Sequence, residues 1–448
     1  MVFTKLPTRQ SVKKVLENFN VSEGLIYLNG NSVTERDNTD VELPFRQESN
    51  FYYVTGVNEP DFHVIINLNQ PKIILVAPNV DPDHVMWLGL PDSLETLQEK
   101  YDVDQVIYAK ELDDLLKSAS KVYTLPITKT TISGVSYAND QERNALNVAF
   151  QEARIIKSEW EIEIMRKANK ISSDAHIKLW EAVKPGCTEA DLHALFLYES
   201  SRHGAFFQSY FPIVGKGMNA ATLHYNKNNA LMDNPNDVVL VDAGAEYGCY
   251  ASDITRCFPV NGKFTDEARV IYNIVLDMQK ACLSFCKAGV AYEDIHKVAM
   301  ETGCDGLLKA GILVGDKQEI LDKSVMAAFF PHGIGHSIGL DVHDVGGYPE
   351  GVERINKPGF RYLRMRRTLG TNYAITIEPG IYFCDFLIDP FLKDPETSKY
   401  INVDALNKYR SVGGVRIEDD IIIKENGYDN LTTVPKEIHE IEAIMNKA

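Results

Sequence analysis

The stretch VVLVDAGAEYGCYASDITRCFPV, Val238 to Val260, constrains this chain more than any other. It opens with an apolar run, Val238 to Val241, that reads as a buried strand. Asp242 closes that run, where a lone carboxylate would normally be avoided. A second run, Cys249 to Phe258, follows Tyr247-Gly248 and carries Asp253 and Thr255. With Tyr247-Gly248 as the turn, the two runs fold back as an antiparallel hairpin, and Asp242 faces Asp253 directly. Directly opposed side chains have Cβ atoms about 4.5–5.5 Å apart. Two carboxylates that close repel, so a proton or a cation must resolve the conflict. A hard divalent cation does it best.

Three further candidates stand on strong local patterns. FFPHGIGHSIGLDVHDVGG holds His332, His336 and His343 among glycines, without the helical spacing of HExxH. Glu378 ends the strand-like run Ala374 to Ile377, just before Pro379-Gly380. In GGVRIEDDIII, strict alternation puts Arg416 and Glu418 on one face of a strand. Each has a plain structural reading taken alone. A strand-end glutamate before Pro-Gly is a turn residue, a histidine among glycines is satisfied by backbone, and Arg416 with Glu418 is an ion pair. Four carboxylates and one imidazole on strand ends of one chain add up differently. They form a hard, oxygen-rich set suited to two divalent ions about 3.5–4 Å apart.

Length and composition set the frame for that site. At 448 residues two domains are expected. Residues 1–152 alternate strand-like runs (GLIYLNG, HVIINLN, KIILVAP) with helix-like ones near Ser93–Lys100 and Leu112–Lys121, which reads as a small α/β domain. The aromatic stretch Phe45–Gly56 reads as core or interface. A boundary near Glu152–Lys157 opens a second domain, 153–448. There Ser158 with Glu161 caps a long helix running to about Val183, and Thr188 with Asp191 caps the next. Strands around Phe206–Val214, helices from about Thr265 and Tyr292, and a strand-rich tail complete it.

The net charge of −17, from 63 acids and 46 bases, argues against non-specific nucleic-acid binding. Seven cysteines without a CxxC pair suggest free thiols in a reducing compartment. The start, MVFTKLPTRQSVKKV, lacks the apolar run of a secretory signal, and no run approaches the roughly 20 residues of a membrane span. A cytoplasmic location is expected.

The candidate positions coincide with a known pattern. FRQESNFYYVTGV, ATLHY, VDAGAEYGCYASDITRCFP, PHGIGHSIGLDVHDVGGYPEGVERI, IEPGIYF and GGVRIEDD together resemble the pita-bread metallopeptidases, and within them the prolidases, or Xaa-Pro dipeptidases. The resemblance covers nearly the whole chain. It implies an α+β fold, with a pita-bread C-terminal catalytic domain of pseudo-twofold symmetry and a smaller α/β N-terminal domain that helps form a homodimer. It also implies two divalent ions, with Mn2+ the expected metal, on Asp242, Asp253, His336, Glu378 and Glu418. Thr255 would support Asp253, and Tyr210, His224, His332, His343 and Arg416 would line the substrate pocket.

In the implied reaction the ions acidify a water. Glu378 takes the proton and returns it to the departing proline nitrogen, while His224 and His343 polarise the carbonyl or hold the oxyanion. Arg364, in RYLRMRRTL, falls where a prolidase holds the dipeptide carboxylate, a group that an arginine fork matches. The expected substrate is therefore an Xaa-Pro dipeptide. The alternative is aminopeptidase P, acting on longer peptides. A non-catalytic binding protein and a metal-free amidinohydrolase are both disfavoured by the complete ligand set. The lid-like segment Asn226–Asn236 has no assigned role.

Overall fold

Apolar β-branched runs broken by Asn, Gly and Pro decide the first unit. A computed structural model describes residues 5–128 and 131–447, and the chain divides into two compact units, Met1–Arg154 and Ile155–Ala448. Residues 1–4, the beginning of the stretch MVFTKLPTRQSVKKV, lie outside the described residues.

In the first unit, β1 (Leu25–Asn29), β2 (His63–Asn67), β3 (Lys72–Ala77), β4 (Gln105–Tyr108) and β5 (Val122–Tyr123) form a five-stranded sheet in the order β4-β3-β2-β1-β5. The aromatic stretch becomes a buried helix, Ser49–Thr55, capped by the Glu48 carboxylate. Helices at Thr8–Asn18, Pro82–Leu88, Leu94–Lys100, Leu112–Lys117 and Asp140–Ile155 accompany the sheet.

The second unit repeats one plan. A helix pair, Glu159–Ala182 and Glu189–Ser201, precedes a sheet, and a second pair, Asp266–Phe285 and Tyr292–Lys309, precedes another. Both capping boxes form, Ser158 with Glu161 and Thr188 with Asp191. The strands are β6 (Phe207–Gln208), β7 (Ile213–Lys216), β8 (Val238–Asp242), β9 (Ala245–Glu246), β10 (Thr255–Pro259), β11 (Ala374–Ile377), β12 (Gly380–Tyr382), β13 (Gly414–Arg416), β14 (Asp419–Lys424) and β15 (Gly427–Asn430). They pair as β10-β8-β7, β11-β14-β15, β12-β13 and β6-β9. One apolar core, running from Trp180 and Phe258 through Tyr272, Tyr292 and Ile377 to Ile421, fills the space behind the sheets.

The central hairpin differs from expectation in register. Gly248 and Cys249, both at positive φ, are the two turn residues, and Tyr247 and Tyr250 exchange both backbone hydrogen bonds across them. Asp242 is therefore opposite Thr255, not Asp253. Asp253 lies diagonally, two residues away. Because the displacement is even, it stays on the same face. Gly244 makes this possible, since a Cβ there would stand 1.8 Å from the Ser252 carbonyl oxygen.

GGVRIEDDIII is not one continuous strand either. It breaks at Ile417–Glu418, so that β13 pairs with β12 while β14 pairs with β11. The Glu418 N–H instead bonds to the Thr255 carbonyl at 3.1 Å.

Candidate metal centre and substrate cavity

Strand ends deliver acids to one place. Asp242 ends β8, Glu378 follows β11, and Glu418 fills the break between β13 and β14. Asp253 comes from the irregular return of the hairpin, and His336 from the glycine-rich loop whose N–H bonds to Thr376 Oγ1 at 3.1 Å. All five line a single cavity of about 670 Å3. Tyr210, His224, His332, His343, Arg364 and Arg416 line it too, while Thr255 lies buried behind them.

The acids are held by a polar network. Tyr210 Oη lies 2.5 Å from Asp242 Oδ1 and 2.6 Å from Asp253 Oδ1. With one proton, it can donate to only one of them. Arg416 donates through Nη2 to Asp242 (2.5 Å), through Nε to Thr255 Oγ1 (3.0 Å) and through Nη1 to Tyr382 Oη (2.8 Å). Thr255 then donates to Glu418 Oε2 at 2.6 Å, so it braces Glu418 rather than Asp253. His332 gives its Nδ1 proton to the Gly333 carbonyl (2.7 Å) and meets Tyr382 Oη through Nε2 at 2.9 Å. Burial pushes the His332 imidazole down to about 3, so it is neutral.

The chemistry of the donor set tests the metal. His336 Nδ1 faces the Ser337 carbonyl at 3.0 Å and must carry the proton, leaving Nε2 a bare acceptor. That Nε2 points at Asp253 Oδ2 (3.3 Å) and Glu378 Oε1 (3.7 Å), both acceptors as well. Donor atoms of Asp253, His336 and Glu418 lie within 4.8 Å of one another. Burial holds the Asp253, Glu378 and Glu418 carboxyls well above the ordinary range; Asp242 adds to the rise at Asp253, Glu418 at Glu378, and Asp253 at Glu418. Acceptors converging on acceptors repel, and divalent cations among them would turn each lone pair into a ligand. The residues fit the metals.

Sequence reasoning missed Tyr382, Asp420 and the Arg256–Asp419 ion pair. Asp420 Oδ2 accepts the Asp253 N–H (2.9 Å) and Asn169 Nδ2 (2.9 Å), which fixes the backbone of a candidate ligand. Arg256 Nη2 meets Asp419 at 2.6 Å with both side chains buried. A second acid in the pair Asp419-Asp420, inside an apolar strand, was the available signal for both.

On these grounds the chain belongs to metallopeptidase family M24, whose model matches residues 163–425. Residues 8–125 match the aminopeptidase P N-terminal domain. A protein of Botryotinia fuckeliana named probable Xaa-Pro aminopeptidase is 45% identical over 99% of this chain and 98% of its own length. One of Sclerotinia sclerotiorum with the same name is 46% identical, covering 99% and 82%. Among solved structures, Pseudomonas aeruginosa aminopeptidase PepP superposes with a TM-score of 0.83 at 30% identity over 99% of both chains. Zinc-substituted Escherichia coli aminopeptidase P in complex with product gives 0.80 at 31%, also over 99% of both. The fold is the aminopeptidase P-like one, an N-terminal domain followed by an M24 catalytic domain. The relatives are named aminopeptidases, not prolidases, and this corrects the narrower resemblance drawn from the motifs.

Proposed function

We propose that this chain is an Xaa-Pro aminopeptidase, which releases the N-terminal residue ahead of proline from peptides longer than a dipeptide. The observation that carries the reading is likeness over nearly the full length to proteins so named. The cavity supports it. Phe211 and Tyr362 line it yet are 57% and 60% exposed, so it opens to solvent where a longer chain could leave. The dipeptidase reading rested on Arg364. Its guanidinium makes no hydrogen bond among the described residues, and it can serve a backbone carbonyl of a longer peptide as well as a terminal carboxylate.

Two divalent ions, proposed as Mn2+ on Asp242, Asp253, His336, Glu378 and Glu418, would acidify water and polarise the scissile carbonyl when bound. The protein supplies the rest. Tyr210 and Arg416 fix the orientation of Asp242. Glu378 takes a proton from the attacking water and passes it to the proline nitrogen, which has no hydrogen of its own in the peptide. His224 and His343 reach the carbonyl oxygen as it gains charge. The neutral His332, with Tyr382, forms a wall for the proline ring. Seven free thiols support a cytosolic setting, and a homodimer completes the proposal.

Metal-loaded protein assayed on Gly-Pro and Gly-Pro-Xaa tests the reading. Higher kcat/KM on the tripeptide is expected. Cleavage of Gly-Pro alone would replace the aminopeptidase with a dipeptidase.

A further inference from the structure

His224 sits where no strand or long helix holds it, just after the short turn Gly217–Ala221. Its ring is exposed and makes no hydrogen bond among the described residues. Such a side chain takes its position from its backbone, so whatever fixes residues 216–230 fixes His224.

One side chain does most of that fixing. Glu189, first residue of the helix Glu189–Ser201, is 0% exposed. Its Oε1 accepts the Lys216 N–H and Asn219 Nδ2, each at 2.9 Å. Its Oε2 accepts the Tyr225 hydroxyl at 2.8 Å and the Ala230 N–H at 2.9 Å. The donors come from both sides of His224, and Tyr225 is its immediate neighbour. The Lys216 amine is turned away, to Asp233 and Asp237. An apolar residue would fill this buried position more cheaply, because a buried carboxylate is tolerated only when hydrogen bonds satisfy it. Here four do, and the helix N-terminus adds to them.

A second fastening lies further along. Asn228, buried and at positive φ, accepts the Val214 N–H (3.0 Å) and donates to the Pro212 carbonyl (2.7 Å). Thr188 and Leu231 then form a β-bridge. The segment Asn226–Asn236 is thus tied down at its start and is not built as a free lid.

We propose that Glu189 is a positioning residue for the reaction, whose four hydrogen bonds hold the 216–230 loop in the one conformation that presents His224 to the cavity. This rests on the role proposed above for His224. Glu189→Gln keeps the shape but turns an NH2 group toward two donors, so the loop must shift. With Mn2+-loaded full-length protein and Gly-Pro-Xaa, kcat should fall on the order of 10- to 10²-fold, the scale of a small misplacement of a catalytic group. KM and metal content should hold. Tyr225→Phe, which removes one of the four bonds, should cause a smaller loss of the same kind.

The decisive readout is the double variant. In a His224→Ala background neither change should lower kcat further, because the residue they act through is gone. Losses that multiply in that background, an unchanged kcat in Glu189→Gln, or lost metal would each overturn the proposal. If Glu189→Gln does not fold, Tyr225→Phe with and without His224→Ala decides by the same rule. If His224→Ala alone leaves kcat intact, the role of His224 fails first, and that outcome is distinguishable from multiplying losses.

Discussion

The floor and the wall of the cavity are built on opposite terms. On the floor, Asp242, Glu378, Arg416 and Glu418 stand at ends or breaks of paired strands, and Asp242, Arg416 and Glu418 are tied by charged hydrogen bonds. On the wall, His224, His343 and Arg364 come from loops and make no such bonds among the described residues. Strand pairing sets the backbones of these acids, and buried polar neighbours from elsewhere in the chain orient their carboxylates. Loops leave their side chains free for substrate, and hand the task of fixing them to remote buried charges. Binding groups belong on mobile, solvent-facing segments held by a rigid scaffold.

The floor should break most completely. Asp253→Asn is isosteric, yet it removes the charge of a proposed ligand from a site where Tyr210 and Asp420 already hold the residue in place. The variant is expected to fold, lose at least one ion and lose nearly all turnover. Two ions and full turnover would remove Asp253 from the ligand set.

The wall should break through its anchors. The loop that carries His343 is held by the Lys157–Asp344 pair, 3.1 Å apart with both side chains 1% exposed. Asp344→Asn removes one charge of this buried pair, and breaking such a pair costs about 3–5 kcal/mol. Urea unfolding would show the loss, and turnover should fall with it. An unchanged midpoint would mean the pair does not hold the loop.

A smaller effect comes from pH, at a histidine that does not itself line the cavity. His296 is buried, donates to the Gly359 carbonyl at 2.9 Å, and has no partner at Nδ1. Burial lowers its pKa to about 4, so the folded state prefers the neutral ring. The unfolded chain takes the proton first as pH falls through about 6.5, and stability is lost progressively from there down to the folded value. Between pH 8 and pH 5 the wild type should lose about 2 kcal/mol more than His296→Gln. Equal losses would contradict the shift.

The same contrast explains what the sequence made legible. The floor was readable because carboxylates at the ends of apolar runs violate the pattern that makes the runs strands. The hairpin register was off by two, with Gly248–Cys249 as the turn in place of Tyr247–Gly248, but parity kept Asp242 and Asp253 on one face. The break at Glu418 was unreadable, because period-two alternation continues through it. The anchors of the wall were hidden for a different reason. Glu189 looks like an ordinary first-turn helix acid, and its donors lie 27 to 41 residues further on. Substrate length was obscured because one free arginine fits a terminal carboxylate and a backbone carbonyl alike.

The contrast is sharpest between two imidazoles whose ring centroids are 4.4 Å apart, His336 on the floor and His343 on the wall. Counting bound Mn2+ by native mass spectrometry in His336→Ala and His343→Ala, beside their turnover, separates ligand from substrate contact. The account predicts metal loss in His336→Ala only. His343→Ala should keep both ions and lose roughly 10²–10³ in kcat, as for removal of one oxyanion donor. Equal metal loss in the two variants would contradict it.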